Sequence, residues 1–343
     1  MVADEIGKPI RVLQPFGEIR ATTNPYIAML HRALQRTPGV ESLLFSYRRA
    51  LIGGYDVVHM HWPETRLGGR SPSRRAVRLL FAYLFILRVR ISGIPVVRTL
   101  HNLERPSGLG RLDYAWLRLV DRSTTLHIVL NPATPPTGLP TVTILHGHYR
   151  DWFARIPVGA PVTGRLVFAG LVRGYKNVAG LVTAFREARR EDASLTLLVA
   201  GSPSGADLED EIRSAAAGDE ATTLDFRFLD DVDLARAITS GELVVLPYRH
   251  MHNSGAALLS LSLNRPVLVP DNEANRILAD EVGPGWLHTF TGVLTGDDIR
   301  RAIDCARTPR APRPDLSRRE WDDAGRAHRN AYREALRLRG RNR

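Results

Sequence analysis

Two cations three residues apart, Arg173 and Lys176, follow an apolar β-type run at 166–169 that ends in Gly170, and Asn177 then opens a helical stretch. Lys176 is one of two lysines in a chain whose other basic residues are arginine. Glycine lets a backbone turn sharply or approach a ligand closely, and a helix start with adjacent cations suits a diphosphate. A surface loop with two solvated cations would carry the same residues. A second candidate for holding an anion is Ser254-Gly255, after a strand read at 243–246. Ser254 can cap a helix while Gly255 leaves the first amides open, an arrangement that attracts phosphate. The stretch 256–263 is apolar nearly all round, so a capped core helix has the same pattern; the cations in the same half favour the anion site.

Histidines gather at expected strand ends in the first half: His59 and His61, His101, and His146 and His148. Carboxyl ends of parallel strands face one crevice, so several of these are expected to converge. Their spacing matches no His-x-x-x-His zinc motif and carboxylates are scarce nearby, so metal-free chemistry is the expectation.

The elements that must position these groups alternate short β-type runs with longer amphipathic stretches, the pattern of parallel α/β sheets. Strands are expected near 10–14, 42–46, 57–61, 95–100, 126–130 and 141–145, with a helix over 24–35 that carries Pro25 in its first turn. The pattern restarts with strands near 165–169, 195–200, 225–228, 243–246 and 266–269, and helices after Asn177, Asp207, Asp231 and Ser254. Between the halves, 151–164 contains Pro157, Gly159, Pro161 and Gly164. Two Rossmann-like domains are expected: 1–152, a linker at 153–164, and 165–311. A helical, charged segment at 312–343 follows, with Ser317 and Glu320 as a capping box and Trp321 and Tyr332 as apolar anchors.

The 343 residues are too many for one typical core, and 44% hydrophobic with 24% charged residues is ordinary globular composition. A net charge of +11 calls for an anionic partner. One cysteine, Cys305, excludes an intrachain disulfide and a cysteine-based zinc cluster. The N-terminus lacks a signal-peptide core and the longest apolar run, 79–87, is about half of a membrane span. A cytoplasmic protein is expected.

The succession Asp56-Val-Val-His-Met-His, Pro95-Val-Val-Arg-Thr-Leu-His-Asn, Ile144-Leu-His-Gly-His-Tyr, Phe168-Ala-Gly-Leu-Val-Arg-Gly-Tyr-Lys-Asn, Leu198-Val-Ala-Gly, Val245-Leu-Pro-Tyr and Ser254-Gly followed by Asn264-Arg-Pro-Val resembles the GT-B glycosyltransferases. The resemblance runs from Arg11 to Tyr332 and implies two Rossmann-like domains facing a central cleft, with the C-terminal helix packing back toward the N-terminal domain. It also implies a nucleotide-sugar donor held by the C-terminal domain, no catalytic metal or cofactor, and an acceptor bound by the N-terminal domain. Residue by residue, Gly170, Arg173, Lys176 and Asn177 match the donor diphosphate turn. Ser254 and Gly255 match the helix start at the phosphates, and His101 a histidine near the donor hexose. Thr23, Asn24, His146 and His148 fall on the acceptor side. Common retaining members carry two glutamates eight positions apart where this chain has Met251 and Leu259. The Ser-Gly version with His-Gly-His-Tyr looks more like bacterial β-mannosyltransferases of exopolysaccharide assembly, which act on lipid-linked oligosaccharides.

An inverting transfer needs a general base for the acceptor hydroxyl. The candidates, in order, are Glu64, Glu18 and His61. Arg66, Arg70, Arg74, Arg75, Arg78, Arg88, Arg90 and Arg98 lie in an acid-free stretch, 65–102, interleaved with Leu79, Leu80, Phe81, Tyr83, Leu84 and Phe85. This reads either as a peripheral surface for anionic membrane or, for the apolar part, as a core-facing helix. The expected activity is transfer of a hexose, mannose from GDP-mannose, to a lipid-linked acceptor. The alternatives are a retaining transferase using a UDP-sugar, another use of the fold such as an epimerase or phosphorylase, and a non-catalytic polyanion-binding protein. Nucleic acid is not an expected partner, because no zinc-finger spacing or RNP-like strand supports it.

Overall fold

The computed structural model describes residues 8–20, 23–67, 71–102, 108–157, 159–253 and 255–341. The chain divides into two compact units, 1–147 with 319–343, and 148–318. In the first, β1 (Ile10–Gln14), β2 (Val40–Leu44), β3 (Val57–Met60), β4 (Val96–Leu100), β5 (Thr124–Val129) and β6 (Thr141–Thr143) form one sheet in the order β2-β1-β3-β4-β5-β6. All its pairings are parallel. Its strands are linked in part by helices α1 (Pro25–Arg36), α2 (Tyr47–Ile52), α3 (Pro72–Ile91) and α4 (Arg111–Ser123).

The second unit opens with α5 (Arg150–Phe153) and contains β7 (Arg165–Ala169), α6 (Val178–Glu191), β8 (Thr196–Ala200), α7 (Ala206–Ala216), β9 (Thr222–Asp225) and α8 (Asp231–Ser240). It continues through β10 (Leu243–Val245), α9 (Gly255–Ser262), β11 (Val267–Pro270), α10 (Glu273–Val282), β12 (Leu287–Phe290) and α11 (Gly296–Arg307). The sheet order is β12-β11-β10-β7-β8-β9, again parallel, which is the doubly wound Rossmann arrangement. Strand order reverses between β1 and β3 in one unit and between β7 and β10 in the other, so each sheet has a switch point where ligands are expected.

The last helix, α12 (Trp321–Arg341), belongs to the first unit and packs on α1 and on β3, β4 and β5. Its anchors are Trp321, 4% exposed, and Tyr332, fully buried. A Cβ on Gly147 would lie 2.4 Å from the Trp321 indole, so that ring sits directly on the Gly147 backbone. Ser317 lies in a separate 3₁₀ turn, Ser317–Arg319, its amide donating to Asp315 Oδ1 at 2.9 Å, and α12 starts only at Trp321.

The positions of β2 and β9 also differ from expectation. β2 runs 40–44 because its register follows β1 from Ile10↔Val40 onward. β9 ends at Asp225, three residues before the expected end. There the Arg227 amide folds back onto the Asp225 carbonyl and its guanidinium bonds Asp225 and Asp233, turning Phe226 and Phe228 out of the ladder.

Candidate active site

In the second unit the crevice at the β7/β10 switch point is built from two loops. Gly170 ends β7 at φ 118°, a conformation suited to glycine, and its carbonyl lies where a side chain on Gly201 (φ 135°) would start, 2.0 Å away. The ends of β7 and β8 can run this close only with glycine at 201. The chain then makes a 3₁₀ turn, Gly174–Lys176, and Asn177 in the left-handed region (φ 52°) hands it to α6. Asparagine tolerates that geometry where most residues do not.

Lys176 is half-buried. Its Nζ lies 5.7 Å from the Phe168 ring centroid and 5.2 Å from that of Tyr248, the first from β7 and the second from the loop after β10. Burial, with the nearby Arg173 charge, lowers its pKa from 10.5 to about 8. Among the described residues neither Lys176 nor Arg173 has a carboxylate partner, whereas arginines such as Arg75, Arg98, Arg213 and Arg307 are each tied to an acid. The two loops are clamped together. The Arg249 amide donates to the Tyr175 carbonyl at 2.9 Å, the Arg249 guanidinium reaches Asn177 Oδ1 at 3.4 Å, and the Tyr175 and Tyr248 rings meet edge to face. A half-buried cation without a carboxylate partner at a switch point is a costly arrangement that an anionic ligand would relieve.

Gly255 is the first residue of α9, which follows β10 and so starts at the same carboxyl edge. Ser254 lies outside the described residues. The loop before it is held by Asn272, whose amide donates to the Met251 carbonyl at 2.9 Å, and by Asn275, whose amide reaches Met251 Sδ at 3.3 Å.

In the first unit β3 and β4 deliver histidines in parallel. His59 is fully buried and both ring nitrogens are occupied, Nδ1 with Tyr332 Oη and Nε2 with Thr99 Oγ1, each at 2.8 Å. It docks α12 and is sealed from any substrate. His61 and His101, one step further along, pair through Nδ1 and Nε2 at 3.2 Å, and the His101 ring stacks on Trp62 at 3.8 Å. Burial holds His61 down to about 3 and keeps His101 well below its ordinary value, so both are neutral at neutral pH. His146 packs at 4.7 Å against Tyr26 and its Nδ1 bonds the Gly147 carbonyl. His148 lies in the second unit, where its Nδ1 accepts the Arg150 amide.

Glu64 sits in the 3₁₀ turn Pro63–Arg66 after β3, beside the switch point of this sheet, in a cleft of about 520 Å³ that it shares with His61, Trp62, His101 and Asn102. Burial raises its pKa, partly offset by a backbone hydrogen bond and by Arg98. A carboxyl so placed is held toward the range of a general base. Glu18, in the loop after β1, is exposed and paired with Arg20 at 3.3 Å. Thr23 Oγ1 accepts the Arg20 amide, and Asn24 caps α1 by accepting the Tyr26 amide at 2.9 Å. Both therefore have local structural work. The arginine-rich stretch is likewise part structural: Arg75 pairs with Asp113, Arg98 with Asp121, and Arg88 bonds Tyr55 Oη and the Ile52 carbonyl. Arg70 lies outside the described residues. Sequence reasoning missed the Phe168 and Tyr248 walls of the lysine site, the stacking of Trp62 on His101 and the hydrogen bond from Tyr332 to His59, since an aromatic residue next to an apolar run reads as core.

Two doubly wound units, the second with an unneutralised cation at its switch point, define the GT-B architecture. The chain belongs to the group 1 glycosyltransferases: residues 163–303 match the family described as Glycosyl transferases group 1. Over 328 residues, 95% of this chain and 93% of the relative, it is 41% identical to the GDP-mannose:glycolipid 4-beta-D-mannosyltransferase of Xanthomonas campestris pv. campestris. Among solved structures it is similar to AviGT4, a glycosyltransferase involved in avilamycin A biosynthesis (TM-score 0.59, 14% identity, 96% of this chain and 98% of that one). It is also similar to S. aureus MnaA with UDP (TM-score 0.56, 12% identity, 96% and 97%). At these identities the structural likenesses concern the fold alone.

Proposed function

We propose that this glycosyltransferase moves mannose from GDP-mannose to a lipid-linked saccharide, inverting the anomeric centre without a metal ion. The observation that carries the proposal is Lys176, a desolvated cation among rings with no carboxylate partner. A donor diphosphate supplies its missing charge, and as the glycosidic bond to the leaving phosphate breaks, Lys176 and Arg173 take up the negative charge that develops there. The α9 amides at Gly255 add a helix N-terminus to the same group. Charge supplied by these fixed cations is the support for metal-independence; among the described residues no three His, Cys, Asp or Glu side chains are grouped to hold a metal.

On the acceptor side Glu64 is the proposed base, taking the proton of the attacking hydroxyl, with neutral His61 and His101 as hydrogen-bonding neighbours. The sugar and nucleotide follow from the mannosyltransferase relative, and inversion from Met251 and Leu259 standing where retaining members carry glutamates. A lipid-linked acceptor places the protein at the cytoplasmic face of a membrane in polysaccharide or glycolipid assembly, where the arginine-rich region 66–90 would meet anionic lipid. No helix among the described residues is long and apolar enough to cross a membrane.

Thermal-shift titration with GDP, UDP and their sugars, followed by NMR of the anomeric coupling in the product, tests this reading. A GDP response and a β-mannosyl product are expected. A response to UDP alone, or an α product, would overturn it.

A further inference from the structure

The helix α3 is apolar on two opposite sides. Its buried residues, Ala82, Phe85, Ile86 and Val89, face the core of the first unit. At about 100° per residue, Val77, Leu80, Leu84, Leu87 and Ile91, spaced three and four apart, fall on the opposite side. They are 53%, 58%, 42%, 50% and 77% exposed. The stripe is bordered on both flanks. The Arg88 bond to the Ile52 carbonyl sets Ile52, 70% exposed, along one edge, and the Tyr83 bond to the Leu112 carbonyl sets Leu112, 64% exposed, along the other. A run of this kind is unusual on a monomer surface, where apolar side chains stand singly.

From this face we infer that α3 is an in-plane anchor that sinks into an anionic phospholipid bilayer, with Leu80, Leu84 and Leu87 entering the acyl boundary. The charge on the helix selects the partner. α3 carries five arginines, Arg74, Arg75, Arg78, Arg88 and Arg90, and no acid; Arg75 is neutralised by Asp113, while Arg88 and Arg90, on either flank of the stripe, bond neutral oxygens and keep their charge. Two copies of the helix meeting face to face would oppose these charges, whereas anionic headgroups complement them. Twenty residues span about 30 Å, enough to lie along the surface, and the helix fails as a membrane span. Residues with this division, apolar on the exposed ridge and cationic beside it, are those of helices that rest in the headgroup region.

The inference rests on the reading of a lipid-linked acceptor, but its test does not. The protein is floated with vesicles of phosphatidylcholine alone and with added phosphatidylglycerol, without donor or acceptor, and compared with Leu80→Asp/Leu84→Asp. Folding of the variant is checked by its melting temperature and its GDP response, which the change leaves untouched. Binding to the anionic vesicles that falls at least tenfold in the variant is expected, together with a blue shift of the added indole in Leu84→Trp on those vesicles. Equal binding by variant and wild type overturns the anchor, as does wild-type protein that runs as a dimer dissociated by the double substitution. Loss of the GDP response in the wild type would instead count against the donor assignment and leave the vesicle result standing.

Discussion

Replacing Lys176 by methionine should strengthen the fold and disable the proposed donor site. The side chains are similar in length, so the thioether would fill the same slot between Phe168 and Tyr248 without the charge. A fall in pKa from 10.5 to about 8 means that keeping this ammonium charged at neutral pH costs roughly 3 kcal/mol, at about 1.4 kcal/mol per pH unit. Solvent at the tip and the lost attraction to the two rings reduce the net gain on substitution to about 1–2 kcal/mol. For a unit of this size that raises the melting temperature by about 2–8 °C. Against this, an ammonium about 4 Å from a diphosphate charge is worth on the order of 4 kcal/mol at an effective dielectric constant near 20. A net loss of about 2–3 kcal/mol, roughly 30- to 150-fold in GDP affinity, is expected.

The sign with pH provides an independent check. The folded pKa lies below the unfolded value, so between about pH 8 and 10.5 the unfolded chain binds the extra proton. Lys176 therefore penalises the wild type fully below about pH 8, and that penalty disappears as pH rises to 10.5. The wild type should gain on Lys176→Met under alkaline conditions until their stabilities converge. Differential scanning calorimetry of the free proteins and calorimetric GDP titration measure the two effects. A variant that is less stable without ligand, or that binds GDP as tightly as wild type, would refute the reasoning.

Glu64→Gln should lower kcat by about 10²–10⁴ with GDP affinity retained, while Glu18→Gln changes kcat little, both read by steady-state transfer kinetics; equal losses would remove Glu64 from the role of base. Tyr332→Phe leaves His59 Nδ1 buried without its 2.8 Å partner and should cost about 1–3 kcal/mol in urea unfolding, without altering GDP binding. His61 at about 3, and His146 and His328 at about 4, are held below 6.5 by burial, so the unfolded chain takes up protons first as pH falls. Stability should therefore drop between about pH 6.5 and 4, by about 1 kcal/mol per histidine at pH 5.5, and the denaturation midpoint should track that loss.

Strands such as 10–14 and 165–169 were legible to the residue because each is a short apolar run closed by a turn signal, and the parallel architecture follows from their alternation with helices. β9 was not, since Asp225-Phe-Arg-Phe alternates like a strand and only the Arg227 contacts to Asp225 and Asp233 pull it out of the sheet. At the candidate site, the proximity of Lys176, Arg173 and Gly170 on one turn was legible because charge and glycine are conspicuous in an apolar context. Phe168 and Tyr248 could not, as nothing local separates an aromatic ring lining a cation site from one in the core. The histidines divide in the same way: the alternation of His59 and His61 puts both on one strand face, but only the docking of α12 makes the first a buried structural partner and leaves the second beside the cleft.

The choice of lysine at 176 is itself informative. Arginine is the default cation of this chain, always charged and shaped for planar, bidentate contacts with carboxylates, the use seen in its many ion pairs. The slot between Phe168 and Tyr248 admits a narrow stem that ends in a compact charge, and the pKa of about 8 leaves that charge weakly held until an anion arrives. A diphosphate bound there would raise the lysine pKa again, so that under the proposed function the cation would be strongest with the donor present. Lys176→Arg separates shape from charge. The planar guanidinium is wider than the ammonium that lies 5.7 and 5.2 Å from the two ring centroids, so the variant should retain its charge yet lose GDP affinity by more than tenfold in the same titration, and full affinity in that variant would mean that the rings do not shape the site.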